Sequence, residues 1–182
     1  MKGGIDAWNG LVSRAEVDQG MYLIEGDENP EEVISLAYGL EESALRFYRG
    51  LSRQSADGET KGLFEKLSQA EIEHEEKLWQ TYEELTGGRI TREAFESDVN
   101  TQTVEGGKTA DQVLVQYPDW IHDPHEALQL AMSLETDAVD LYLRMAQKSG
   151  NEETRTLFYS LAGEEKIHLR RLGQFLGTTL SR

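Results

Sequence analysis

Apolar residues between positions 33 and 51 recur at three- and four-residue intervals: Val33, Leu36, Ala37, Leu40, Ala44, Phe47 and Leu51. That spacing puts them on one face of an α-helix. The start is marked as well. Asn29 is a good N-cap, Pro30 suits the first helical position, and Glu32 completes a capping box. The pattern breaks near Ala56-Asp57-Gly58. A second stripe, Phe64, Leu67, Leu78 and Leu85, predicts a helix from about Glu59 to Leu85, ended by Gly87-Gly88.

The same pattern then returns. Shifted by 94 positions, the chain matches itself without a gap. Leu36, Ala37, Leu40, Ala44 and Tyr48 fall on Leu130, Ala131, Leu134, Ala138 and Tyr142, and Phe64 and Leu67 fall on Phe158 and Leu161. Asn29-Pro30-Glu31-Glu32 falls on Asp123-Pro124-His125-Glu126, so Asp123 and Glu126 are expected to cap as Asn29 and Glu32 do. Such a match signals duplication of one structural unit. Each unit reads as a helical hairpin, the second with helices at 124–148 and 151–177, broken near Ser149-Gly150-Asn151. Two hairpins, 29–86 and 123–177, predict an all-α antiparallel four-helix bundle over 29–178. The connection, 87–122, is too long for a turn. Helices of 25 residues run about 38 Å, and a two-fold relation between the hairpins requires the chain to cross that length. The crossover has room for a short helix, predicted at Thr91–Ser97, and is long enough to permit a swap of hairpins between two chains. Residues 1–28 precede the bundle as an N-terminal tail.

Composition narrows the chemistry. The chain has 182 residues, 38% of them hydrophobic, which suits one domain with a core. It has no cysteine, which excludes disulfides, zinc–thiolate sites and iron–sulfur centres built from these residues. A net charge of −16 repels nucleic acid and attracts cations. No segment approaches a membrane span, and MKGGIDAWNG lacks the apolar run of a signal peptide. The default expectation is the cytoplasm.

Six polar residues interrupt the apolar stripes at matching places. Glu41 lies between Leu40 and Ala44, and Glu135 between Leu134 and Ala138. Glu71 and His74 continue the line of Phe64 and Leu67, as Glu165 and His168 continue that of Phe158 and Leu161. A single Glu-x-x-His on an acidic helix more often marks a solvated face. Two of them, each with a Glu 30 residues upstream on a buried stripe, point inward at one height of the bundle. Four carboxylates in an apolar interior cannot stay ionised without compensation. Two divalent cations would balance them and use both imidazoles. Carboxylate with imidazole, and no thiolate, suits iron or manganese, with zinc a further candidate.

Glu41, Glu71-x-x-His74, Glu135 and Glu165-x-x-His168 resemble the ligand motif of the ferritin-like superfamily, and within it the rubrerythrin group of di-iron proteins. The resemblance covers about residues 29–177. It implies a ferritin-like bundle holding two iron ions, with Glu71 and Glu165 bridging. It also implies that Glu41 and Glu135 complete the two ends with His74 and His168; which histidine shares a metal with which terminal glutamate is left open by sequence. Two departures stand out. Typical rubrerythrins carry a further Glu one turn after the third-helix ligand, where this chain has Ala138, and many carry a cysteine-rich rubredoxin domain that delivers electrons.

The expected activity is a non-haem di-iron oxidoreductase that oxidises bound Fe(II) with hydrogen peroxide or oxygen, drawing electrons from an external donor. The alternatives are a ferroxidase feeding iron storage and a non-catalytic metal-binding module. The resemblance and the long crossover imply a homodimer. Tyr48 and Tyr142, seven residues after Glu41 and Glu135, are candidate hydrogen-bond donors to the ligands, against the commoner role of a core tyrosine. His122 and His125 form a His-x-x-His whose place around an N-cap favours capping over a second metal site. Glu73, Glu75 and Glu76 read as solvated. Separately, MKGGIDAWNGLV resembles the closing run of a rhodanese-like domain. This implies a sulfurtransferase-like neighbour in a longer protein, without its active-site loop here.

Overall fold

The computed structural model describes residues 19–104, 107–116 and 123–179. Residues 1–18, where the rhodanese resemblance falls, and His122 lie outside them. The structure is an all-α, ferritin-like helical bundle. Its four long helices are α1 (Pro30–Gln54), α2 (Gly58–Thr86), α5 (Pro124–Lys148) and α6 (Glu152–Thr179), with α3 (Arg92–Asp98) and α4 (Ala110–Gln116) in the crossover.

Local chemistry sets the ends. Asn29 accepts from the Glu32 amide and the Glu32 carboxylate accepts from the Asn29 amide, a complete capping box. At the second start Asp123 accepts from the amides of both His125 and Glu126. Among the described residues no bond from the Asp123 amide to the Glu126 carboxylate is seen there, whereas Thr109 and Gln112 make a reciprocal pair at the start of α4. Asp57 caps α2 through the Thr60 amide, and Gly87, at φ 65°, closes that helix in the left-handed conformation that favours glycine. Leu85 departs from expectation. It is 41% exposed, because this last turn of α2 lies past the buried stripe.

Directions follow from the contacts. The Thr154 hydroxyl at the start of α6 donates to the carbonyl of Glu28, just before α1, at 2.9 Å. Lys148 at the end of α5 donates to the Ile24 carbonyl. So α1 runs parallel to α6 and antiparallel to α5, and α2 runs parallel to α5. The crossover must therefore travel the length of the bundle, and it does so along α1. Arg89 pairs with Glu31 at 2.6 Å, Phe95 packs edge-on to Tyr38 at 5.0 Å, and Arg46 donates to Thr101 at 3.2 Å. The Lys108 ammonium then donates to the buried Asp137 carboxylate on α5 at 2.5 Å. Thr91 caps α3, one residue from the predicted start. The helix α4 was not anticipated.

Gly39 is what lets the crossover lie against α1. A Cβ there would sit 2.2 Å from the Asn100 carbonyl oxygen. Gly50, on the same helix, has nothing within 4 Å of the same position. Gly39→Ala should therefore lower the unfolding free energy by about 2 kcal/mol despite its better helix propensity, whereas Gly50→Ala should raise it by about 0.5 kcal/mol. Urea unfolding of the two variants checks both signs; equal effects would mean that the crossover does not press on α1.

The core comes in two parts. One cluster includes Ile34, Tyr38, Leu40, Leu78, Ala138, Tyr142, Phe158 and Leu161, the other Ala44, Tyr48, Phe64, Leu67, Leu134 and Leu172. The clusters divide on each long helix at the same level: between Leu40 and Ala44, Leu67 and Leu78, Leu134 and Ala138, and Leu161 and Leu172. The six inward polar residues occupy that level.

Candidate metal centre

Each long helix brings its acid to this layer by the heptad-like spacing of its apolar stripe. Glu41, Glu71, Glu135 and Glu165 are fully buried, and His168 nearly so. His74 keeps a small exposed edge. The two imidazoles stack face to face, centroids 4.3 Å apart and planes 4° from parallel. This pairing comes from α2 and α6, the helices that carry Glu-x-x-His.

Each histidine lies nearest one terminal glutamate. His74 Nδ1 lies 3.1 Å from Glu41 Oε2, and His168 Nδ1 lies 3.3 Å from Glu135 Oε2. The remaining carboxylates are shared. Glu165 approaches His74 Nδ1 at 3.8 Å with one oxygen and His168 Nδ1 at 3.5 Å with the other. Glu71 lies 3.7 Å from His74 Nδ1 and groups with His168 as well. Three sets of donor atoms each fall within 4.8 Å: Glu71, His74 and His168; Glu41, His74 and Glu165; and Glu135, Glu165 and His168. Each set could hold a cation.

The electrostatics favour one. Neither carboxylate oxygen of Glu135 accepts a hydrogen bond, although both are buried. Burial pushes the Glu41 carboxyl up, but the charge and hydrogen bond of His74 outweigh it and the net shift is downward. Burial pulls the His74 imidazole down, but Glu41, Glu164 and Glu135 outweigh it and the net shift is upward. A proton on His74 thus does part of what a cation would do. Oxygen and imidazole donors, two to one, fit the hard and borderline divalent metals, iron among them.

Tyr142, on α5, donates to Glu41 Oε1 on α1 at 3.3 Å. The bond crosses from one hairpin to the other rather than serving the glutamate of its own helix. Tyr48 is buried in the matching place against Phe64, ring centroids 6.2 Å apart. The amide of His125 is capped by Asp123.

Glu75 corrects the reading of the outer acids. Glu73 and Glu76 are exposed, but Glu75 is only 6% exposed. One residue beyond His74, it turns under α1 and shares a hydrogen bond with Glu42. Burial first, and then that bond, push its carboxyl up to about 8. Because the folded value exceeds the ordinary one, the folded chain binds the extra proton between a pH of about 4.5 and about 8, and stability falls as pH rises through that window. Glu75→Gln should remove the loss: the metal-free variant gains on the order of 2 kcal/mol at about pH 8 and nothing near pH 4. Chemical denaturation at both values reads this out; a gain of the same size at both would tie it to packing.

A narrow cleft leads from solvent to this layer between α2 and α6. Its floor is Glu41, His74 and Glu165, and Lys77 and Glu164 stand at its rim. It holds about 50 Å³ of open space, room for a few water-sized molecules and so for peroxide or oxygen.

No curated protein and no solved structure matches the chain. A family model does: the one described as rubrerythrin matches residues 32–176, which span all four long helices apart from their outermost turns and hold every residue of the buried layer. The chain belongs to the rubrerythrin family, a family of non-haem di-iron proteins.

Proposed function

We propose that the protein is a di-iron oxidoreductase that reduces hydrogen peroxide at the buried carboxylate–imidazole layer. The observation that carries this is the junction of two features: three overlapping donor sets, and a narrow cleft that ends on them. Glu41 with His74 would hold one iron ion, Glu135 with His168 the other, and Glu71 and Glu165 would bridge. When bound, the iron pair would supply two electrons per peroxide, passing from ferrous to ferric while two protons go to water. An external donor would return the electrons, since the sequence has no cysteine for an iron–sulfur or rubredoxin-type centre.

The protein's own groups set the conditions. Leu78, Leu157 and Leu161 line the cleft and limit water. Tyr142 holds Glu41 in place with a hydroxyl proton. Ala138 is fully buried and offers no donor, so the centre is confined to six ligands.

The test is to load the metal-free protein with two equivalents of Fe(II) without air and follow oxidation by stopped-flow absorbance. Oxidation by peroxide much faster than by oxygen supports the proposal. Equal or faster oxidation by oxygen points to a ferroxidase. No protein-dependent oxidation with either leaves a metal-binding module.

A further inference from the structure

Besides the Tyr142 bond to Glu41, the two ends of the layer differ in the carboxylates around their histidines. His74 faces four carboxylates, not three. Its Nδ1 side meets Glu41, Glu71 and Glu165, while its Nε2 lies 3.9 Å from Glu164 Oε2. The other oxygen of Glu164 is held by Lys77, which leaves Oε2 turned toward the ring. Among the described residues, His168 makes its ion contacts through Nδ1 alone. The reason is in the repeat: 94 positions before Glu164, where a matching carboxylate would have to stand, the chain has Ala70.

We propose that Glu164 is a positioning residue that fixes His74 with its proton on Nε2, so that the Glu41–His74 end binds its cation more tightly and fills first. The inference rests on the metal reading of the layer given above. A ligating imidazole gives one nitrogen to the metal and keeps its proton on the other. A carboxylate facing that second nitrogen fixes the tautomer, holds the ring plane and makes the ligating nitrogen more basic. Nδ1 of His74 points into the donor set and Nε2 toward the cleft rim, so the proton belongs on the Glu164 side. A small rotation of the Glu164 side chain, tethered at its far oxygen by the exposed Lys77, closes 3.9 Å to a hydrogen bond. At the other end nothing equivalent among the described residues supports His168, and the centre is built unequal.

Zinc tests this without redox chemistry. Calorimetric titration of the metal-free protein with Zn(II) should resolve two binding steps. Glu164→Ala should weaken the tighter step by about 10- to 100-fold and leave the weaker step within about twofold, and Glu164→Gln should fall between. Ala70→Glu, at a half-buried position, should tighten the weaker step by about tenfold. In ¹⁵N-histidine spectra at one equivalent of zinc, His74 should carry its proton on Nε2 and shift before His168. With four histidines in the chain, the signals can be assigned by substitution. Equal weakening of both steps by Glu164→Ala, no weakening, or simultaneous shifts of the two rings would overturn the inference while leaving the metal centre intact. Fewer than two zinc ions bound by the unaltered protein would instead remove the metal reading, and this inference with it.

Discussion

Glu71→Ala and Glu165→Ala, made separately, should each take metal uptake from two divalent ions per chain to none that survive desalting. The ground is the sharing of these two carboxylates. Glu165 reaches both imidazoles, at 3.8 Å and 3.5 Å, and Glu71 groups with both as well. Removing either strips a donor from both positions, so the two ions should be lost together. The loss of affinity should exceed the roughly 10- to 100-fold that follows from altering a supporting residue. Glu73→Ala, on the exposed face of the same helix, should bind two ions as before. The folded bundle should survive, because the apolar clusters on either side of the layer do not include these residues. Helical circular dichroism gives that control and metal analysis gives the answer. Retention of both ions by either folded variant would sink the ligand assignment.

The bundle was legible because the apolar stripes recur at a shift of 94 positions. Gly87 and Asn29 then marked ends that the structure reproduces. The layer was legible for the same reason: an acid on one stripe is ambiguous, but an acid at the same height on four stripes has few places to go except inward together. What escaped reading depends on contacts between elements. Glu75 lies on the stripe of α2, four residues after Glu71 and three before Leu78, but amid Glu73 and Glu76 its spacing is easily passed over; Glu42 on α1 stands beside it. Glu164 precedes a ligand in sequence, yet it serves a histidine of the other hairpin, which no periodicity reveals. The end-to-end pairing of His74 with Glu41 needed coordinates, since the repeat alone is symmetric to either choice. The helix α4 is seven residues long, so Ala110, Val113 and Leu114 make only one turn of an apolar stripe, too little to stand out despite the Thr109–Gln112 capping box at its start.

Removing metal should cost the protein on the order of 5 kcal/mol of stability near pH 8, and much less near pH 5.5. For the loaded protein, two ions bound well above their dissociation constants stabilise by several kcal/mol through mass action. That gain grows with pH, because each ligand imidazole must lose its proton to bind. For the metal-free protein the sign is opposite. His74 has its folded pKa raised, so the stability it contributes is full below its ordinary value of 6.5 and is lost as pH rises through the folded one. Glu41 has its folded pKa lowered, so its share is present above the ordinary value of 4.5 and disappears only as pH falls below that. The ion pair between them therefore works best between those two values. Once pH passes the raised folded value, His74 is neutral and the buried Glu41 carboxylate loses the charge that offset its burial. Thermal unfolding of zinc-loaded and metal-free protein at the two pH values should show a gap that widens from a few degrees to about 10–20 °C. His74→Gln should lessen the fall in metal-free stability across the same interval, since the titrating partner of Glu41 is gone. A gap that narrows with rising pH would mean that the buried carboxylates are neutralised by protons rather than by a cation, and the layer would no longer call for a metal.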